Sequence, residues 1–454
     1  MESIFDIPAD LDTPVSAYLR LAPLRPRYLL ESVEGGHTGR YSFIGFGETN
    51  TVTIEEDGVY ADGELLHGEV LAGLRRALEI SPVCAPEDNA SPFGGGLVGV
   101  AAFDLVRRLY RLPAAPHERS GPDGCYITTS SILVFDHLTR RMALLHSGSE
   151  AERRQLRREV QAVLRGPLDN GSRPAPHQPA APSMTRTQFM SGVETVKRHI
   201  EAGDVYQLVL SVRFSGETGV DPFAAYRALR LLNPSPYMYF IDTGDRQVVG
   251  SSPEALARLN GRKAELRPIA GTRPRGADED EDHRLERELL ADPKEAAEHV
   301  MLVDLARNDV GRTAAPGSVV VDPYKTIERY SHVMHMVSGV TAQLRTGLDA
   351  FDLFAAAFPA GTVTGAPKLR AIEIIDELEP VSRGLYSGSI GYFGHRGAMD
   401  QAITIRTLVF GEGRYDYQAG AGIVADSDPD TEHREVLSKG AALEAALQLA
   451  KEGL

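Results

Sequence analysis

The chain is 454 residues long and carries a formal net charge of −15, from 63 acidic and 48 basic side chains. That length predicts two lobes or one large composite fold, with 42% hydrophobic residues to fill its core. The acid excess argues against a nucleic-acid partner, and the two cysteines, Cys84 and Cys125, argue for a reducing, cytoplasmic setting and against a disulfide or cysteine-rich metal framework.

In chain order, the opening MESIFDIPAD lacks the basic and apolar regions of a secretory signal. No later run of about 18 apolar residues would span a membrane. Residues 51–63, TVTIEEDGVYADG, predict a hairpin turned at Asp57-Gly58, and residues 130–147, SSILVFDHLTRRMALLHS, a longer one. Amphipathic helices are expected over 68–78 and 150–164. The Pro-rich, aperiodic GPLDNGSRPAPHQPAAPS begins at Gly166. It predicts a linker or mobile loop over 167–183, between an N-terminal region (1–166) and a C-terminal region (184–454).

Beyond it a helix is expected over 187–202, then strands over 207–214, 237–241 and 247–251. Strands over 255–259 and 263–268 flank a turn at Asn260-Gly261. The acidic run Asp278 to Asp282 reads as a solvated loop. A helix over 293–307 has Asp292 as N-cap, Pro293 in its first turn and Glu295 at the capping-box position. Strands follow over 387–393, 401–409 and 415–419, and Asp428-Pro429 opens a closing helix that runs towards Ala450. Without a regular βαβ alternation, the class is α+β with large, mostly antiparallel sheets.

Two helix starts carry acids three residues apart, Glu295 with Glu298 and Glu432 with Glu435, so each pair shares a helical face. Either they complement the helix dipole, or they supply oxygen ligands for a hard ion such as Mg²⁺. Glu298 shares its stripe with Leu302 and Leu305, a poor setting for an unpartnered charge. The segment from Gly361 to Lys368 lacks the ending of a phosphate loop. The small residues from Gln418 to Ile423 suit either a tight bend or the close approach of an anion to backbone amides. His335 fits a packed imidazole as well as a catalyst. No nucleophile elbow of a hydrolase or amidotransferase is present.

Ten blocks change this balance: GDVYQLVLS (203–211), NPSPYMYF (233–240), GSSPE (250–254), RPIAGTRPRG (267–276), LLADPKEAAEHVMLVDLARNDVGR (289–312), YSHVMHMVS (330–338), FPAGTVTGAPKLRA (358–371), GSIGYFG (388–394), ITIRT (403–407) and QAGAGIVADSDPDTEHREVLSKGAAL (418–443). Residues 185–451 thereby resemble the chorismate-utilising enzymes, which make anthranilate, aminodeoxychorismate, isochorismate or salicylate. The resemblance implies two stacked sheets between helices, with the active site in a central cleft. It places Glu298 and Glu435 as Mg²⁺ ligands with Glu295 and Glu432 beside them, and Arg406, Tyr386, Gly420, Ala421, Gly422 and Lys439 around substrate. Ala270, Gly271 and Thr272 join the substrate set. Glu254 matches the acid that helps the C4 hydroxyl leave, His335 the family's histidine, and Gln207 and Thr362 fall at catalytic positions.

Two positions bear on the nucleophile. Water-using members carry Lys where Gln207 stands, and many aminodeoxychorismate synthases carry a covalent Lys where Ala270 stands. Direct attack by ammonia is therefore implied, giving anthranilate and pyruvate from chorismate. The alternatives are an aminodeoxychorismate synthase and a catalytically silent tryptophan-binding regulator. Ammonia would come from a separate glutamine amidotransferase subunit. Glu31, Ser32, Arg40, Tyr41 and Ser42, with Asn233, Pro234, Ser235, Pro236, Tyr237 and Met238, resemble the family's tryptophan feedback site.

Overall fold

The structure, a computed structural model, describes residues 4–32, 39–86, 91–110, 112–119, 121–168, 173–329 and 333–454. Residues 330–332 of one matched block and 169–172 of the expected linker lie outside them. Among the described residues, twenty-one strands form one continuous sheet, and three more form a small second sheet.

The large sheet is folded into two leaves. Two long strands, Tyr41–Ile54 and Gly124–Asp136, pair along their whole length and belong to both leaves. Their register shifts between Phe46 and Thr49, where Gly47 adopts a φ of +89°. An extra residue there bends the pair, and glycine tolerates the left-handed backbone. One half of Tyr41–Ile54 pairs with Tyr28–Glu31 and leads through Tyr237–Asp242, Gln247–Ser252, Thr407–Gly411 and Arg414–Ile423 to Gln207–Glu217. The other end of Gly124–Asp136 pairs with Gly96–Ala101 and leads through Ser389–Gly394, Met399–Ile403 and Ala255–Asn260 to Lys263–Leu266. All these pairings are antiparallel, so side chains alternate between the faces of each leaf.

That alternation builds three apolar layers. Between the leaves lie Tyr28, Phe43, Ile127, Val134, Tyr239, Ile390 and Tyr392. Their neighbours in sequence, including Leu29, Ile44 and Phe240, face outward against Pro14–Arg20, Arg186–Glu201, Pro222–Leu232 and Pro429–Glu452. Helices Val70–Ile80, Pro293–Gly311 and Ala350–Ala357 cover the other leaf through Leu74, Val303, Phe351 and Phe354. The segments before and after the linker are thus woven into one sheet. Residues 175–182 lie extended along its edge, with Ala181–Pro182 paired to Ser215 and Phe214. No helix of the described residues is long and apolar enough to cross a membrane.

Three expectations need correction. The acidic run is not a loop: Asp278 caps helix Glu279–Ala291, whose first turn holds the acids, and Asp282 is buried on Arg275. The strand expected over 401–409 is two strands, Met399–Ile403 and Thr407–Gly411, broken before Arg406. The hairpin loop expected at Asn260-Gly261 is Gly261-Arg262, because Asn260 still pairs with Lys263.

Candidate active site

A cavity of about 270 Å³ opens between the ends of these strands and helix Pro293–Gly311. Of the expected site residues, Glu254, Ala270, Gly271, Thr272, Glu298, His335, Thr362, Tyr386, Arg406, Gly420, Gly422 and Lys439 line it. Val209, Pro253, Ile269, Val363, Ile405, Gln418 and Ala419, which carry no chemical signature in the sequence, complete the wall.

Each polar wall residue arrives by a local rule. His335 sits in Val333–Val337, between Met334 and Met336, which pack on Leu289. A period of two sends the imidazole to the opposite, cavity face. Across the pair, the register shifts between Ala270 and Thr272, with Gly271 at a φ of +63°. This bulge aims the Gly271 carbonyl at His335 Nδ1, 3.0 Å away, with Thr272 Oγ1 at 3.1 Å. A carbonyl only accepts, so Nδ1 carries the proton and Nε2 the lone pair. Burial, which outweighs the Gly271 hydrogen bond, and the Arg406 charge hold the imidazole below its usual pKa.

Arg406 has a φ of +50°, unusual for a non-glycine residue. The chain leaves Met399–Ile403, turns so that the Ile405 amide donates to the Ile403 carbonyl at 2.9 Å, and re-enters the sheet at Thr407. This break turns Arg406 out of the pleat and into the cavity.

Glu254 follows the strand Gln247–Ser252, and its carbonyl accepts from the Ile403 amide at 3.0 Å. Glu254 lines the cavity and also borders a smaller pocket beside Leu302 and Leu305. Burial raises its pKa to about 7, against the opposing pull of the Thr362 hydroxyl, Lys439 and Arg406. The Thr362 contact falls short of a well-aligned hydrogen bond, leaving its hydroxyl unpartnered among the described residues.

Gly420 and Gly422 lie in a regular ten-residue pairing with Gln207–Glu217, so no bend explains them. A Cβ at Gly420 would stand 2.7 Å from Tyr386 Oη, and one at Gly422 2.8 Å from Gln207 Nε2. The glycines thus make room for two polar groups that pack over them. Gln207 itself is buried just behind Gly422 rather than in the cavity wall. Ala421, between the glycines, faces the outer core instead of substrate.

The expected metal carboxylates lie on helices Pro293–Gly311 and Pro429–Glu452. Glu298 makes no hydrogen bond or ion pair among the described residues. Burial, then the charges of Glu295 and Glu435, raise its pKa; Glu432 is raised by burial and by Glu435. Glu295 reaches Arg273 at 3.4 Å instead of closing a capping box, and Lys439 holds Glu435 at 2.7 Å and the Gly420 carbonyl at 3.0 Å. Among the described residues, no three His, Cys, Asp or Glu form a ready cage for a metal ion. The donors fit a hard cation that takes one or two acids and completes its shell with water and substrate.

A second cavity, about 160 Å³, lies between the leaves. Of the expected tryptophan residues, Glu31, Ser32, Tyr41, Pro236, Tyr237 and Met238 line it, with Arg258, Tyr392 and Asp400. The Glu31 carboxylate is engaged by Arg230 and by Tyr226 Oη, the latter at 2.8 Å, while the Ser32 hydroxyl is buried without a partner among the described residues. Arg40 pairs with Asp136 and Ser42 with His137, and these two lie outside the wall, as do Asn233, Pro234 and Ser235.

Residues 25–445 match the family described as chorismate binding enzyme. An anthranilate synthase component 1 of Thermus thermophilus is 47% identical over 455 residues, covering 98% of this chain and 97% of that one. Its counterpart in Pseudomonas putida is 45% identical, covering 98% and 94%. The crystal structure of anthranilate synthase component I from Streptococcus pneumoniae superposes with a TM-score of 0.81 at 35% identity, covering 96% of this chain and 98% of that one. With its cavity, its sheet and its sequence in agreement, the chain belongs to the chorismate binding enzyme family.

Proposed function

We propose that the chain is the chorismate-using component of an anthranilate synthase, a lyase that combines chorismate with ammonia and releases anthranilate, pyruvate and water. The observation that carries this reading is one cavity uniting an acid poised near neutrality, Glu254, with a neutral imidazole, His335, and a guanidinium, Arg406.

Arg406 and the Tyr386 hydroxyl suit the enolpyruvyl carboxylate, since a planar guanidinium can grip both oxygens. The Gly420 and Gly422 backbone allows close approach of a second anionic group. With its pKa near 7, Glu254 holds its proton in a large fraction of molecules and can pass it to the C4 hydroxyl, which departs as water while ammonia bonds to C2. His335, neutral with its lone pair on Nε2, takes the C2 proton as the enolpyruvyl group leaves and the ring becomes aromatic. Mg²⁺ on Glu298 and Glu435, supported by Glu295 and Glu432, would neutralise the ring carboxylate and fix its position.

The buried Gln207 amide cannot act as the base that water would need, and Ala270 offers no amine for covalent attack. Both support ammonia as the nucleophile, delivered by a glutamine amidotransferase subunit in the cytoplasm. The second cavity, walled by Pro236, Tyr237 and Met238, supports feedback by L-tryptophan.

Incubation of the chain with chorismate, Mg²⁺ and ammonium at mildly alkaline pH tests the reading. Fluorescent anthranilate and stoichiometric pyruvate are expected. An aminated product that keeps its enolpyruvyl group would make the chain an aminodeoxychorismate synthase. No turnover alongside tight tryptophan binding would make it a silent regulator.

A further inference from the structure

Directly behind the cavity wall lies a charged pair for which the mechanism above has no use. Arg383 and Glu379 are 3% exposed each, in the loop that follows helix Lys368–Leu378. All five guanidinium N–H groups are used. Nε and Nη2 donate to the two Glu379 oxygens at 2.9 and 2.6 Å, Nη2 also to the Val209 carbonyl at 2.7 Å, and Nη1 to the Val363 carbonyl at 2.8 Å and Ser387 Oγ at 3.2 Å. Glu379 Oε1 further accepts from the Ser211 amide at 2.9 Å and its hydroxyl at 2.7 Å. The Ser211 hydroxyl in turn accepts from Gln418 Nε2 at 2.8 Å.

A buried ion pair is a poor way to stabilise a core. Apolar residues of the same volume often do as well or better. What this pair provides is geometry. Val209, Val363, Tyr386 and Gln418 all line the cavity, and they come from different segments of the chain. Arg383 grips the first two by their carbonyls and lies 5.5 Å from the ring centre of Tyr386, while Glu379 reaches Gln418 through Ser211. Thr362, beside Val363, is the residue that faces Glu254. On the other side, Tyr386 is the residue whose hydroxyl packs over Gly420.

We propose that Arg383 and Glu379 are positioning residues for chorismate: the buried pair fixes the Tyr386 hydroxyl and the Thr362–Val363 segment relative to each other, and so sets the fit of substrate between Arg406 and Glu254. This rests on the active-site reading above. The fork matters more than the charge, because a lysine ammonium cannot span two carboxylate oxygens and two carbonyls in one plane. The guanidinium also lies close enough to the Tyr386 ring to favour its phenolate, opposing the burial that drives its pKa to about 12.

The test is a double-mutant cycle on the full chain, assayed with chorismate, Mg²⁺ and ammonium. Arg383→Lys should lower kcat/KM about 10-fold or more, chiefly through KM, since a misplacement of an ångström is costly. In a Tyr386→Phe background the same change should cost less than about 3-fold, because residues acting through one another are not additive. The paired replacement Glu379→Leu with Arg383→Met leaves no uncompensated charge and should fold, yet lose about 10-fold or more in kcat/KM. Equal losses in both backgrounds, or native kcat/KM in the folded paired variant, would overturn the proposal. Failure of the active-site reading shows earlier, in a wild type that does not turn over chorismate.

Discussion

Glu254 is the residue whose chemistry is most altered by its surroundings. Its carboxyl belongs near 4.5 in water and is raised to about 7 in the fold, by burial above all. Because the protonated form is the proposed acid, kcat at constant free ammonia should fall as pH rises through 7. The neutral form of His335 is needed as well, so the acid-side loss should begin only below the ordinary histidine range. A profile flat from pH 6 to 9 would remove Glu254 from the acid role. The same shift bears on stability. Between 4.5 and 7 the folded state binds a proton that the unfolded chain has released, so this group's contribution is complete below 4.5 and lost as pH rises through 7. The loss is at most about 3 kcal/mol, reduced by whatever water the cavity admits. Glu254→Gln should therefore lower kcat by about 10²–10⁴-fold while raising Tm at pH 8, read by calorimetry; a lower Tm would contradict the raised pKa. The sequence marks Glu254 and His335 only through the blocks that surround them. Their separate roles rest on burial and on the Gly271 carbonyl, which no spacing rule reveals.

At the level of single elements, two helices and a broken strand do most of the placing. Pro293–Gly311 is legible from Asp292, whose side chain accepts from the Lys294 and Glu295 amides, and from Pro293. The acids at three-residue spacing then share a face, as the helical period requires. Nothing in that period says the faces of two distant helices converge. The mutual charge that raises Glu298 is a tertiary fact. Glu298→Gln should abolish Mg²⁺-dependent turnover and, without Mg²⁺ at pH 8, raise Tm by removing a buried like-charge contact; wild-type rates in this variant would sink the metal assignment. The strand break at Arg406 was hidden for another reason. Apolar alternation continues through residues 401–409, and only a positive φ, invisible in the pattern, turns the guanidinium inward. Gly420 offers a sharper element-scale test. Gly420→Ala would drive a methyl against Tyr386 Oη and should raise KM for chorismate about 10-fold. The penalty should shrink but not vanish in Tyr386→Phe, because Ser211 Cβ and the Leu210 carbonyl also stand 2.9 and 3.0 Å from the new methyl. An equal penalty in both backgrounds would mean that it clashes elsewhere, with Ser211 or the Leu210 carbonyl.

For the whole molecule, the antiparallel α+β class and most hairpins were legible because period-two alternation and turn residues are local signals. The single folded sheet was not, since it depends on two long strands that bend between Phe46 and Thr49 and serve both leaves. That bend creates the cavity between the leaves and joins it to the active site through shared strands. Met399–Ile403 presents Asp400 and Ala402 to the inner cavity, donates from Ile403 to the Glu254 carbonyl, and leads directly to Arg406. Arg258, paired with Asp400 at 3.1 Å and with Tyr237 Oη at 2.7 Å, lies on the strand that begins just after Glu254. Tryptophan seated against Tyr237, Met238 and Ser32 would press on both strands at once, and inhibition requires only that it favour an arrangement in which chorismate binds less well. Such coupling is reciprocal: whatever factor tryptophan imposes on chorismate affinity, chorismate must impose on tryptophan affinity. Titration calorimetry with each ligand, in the presence and absence of the other and without ammonia, should return the same factor. Ser32→Leu puts a bulky apolar side chain into the cavity wall and should weaken tryptophan binding about 10-fold or more, with kcat unchanged when tryptophan is absent. Undiminished inhibition of that variant would place tryptophan outside the cavity between the leaves.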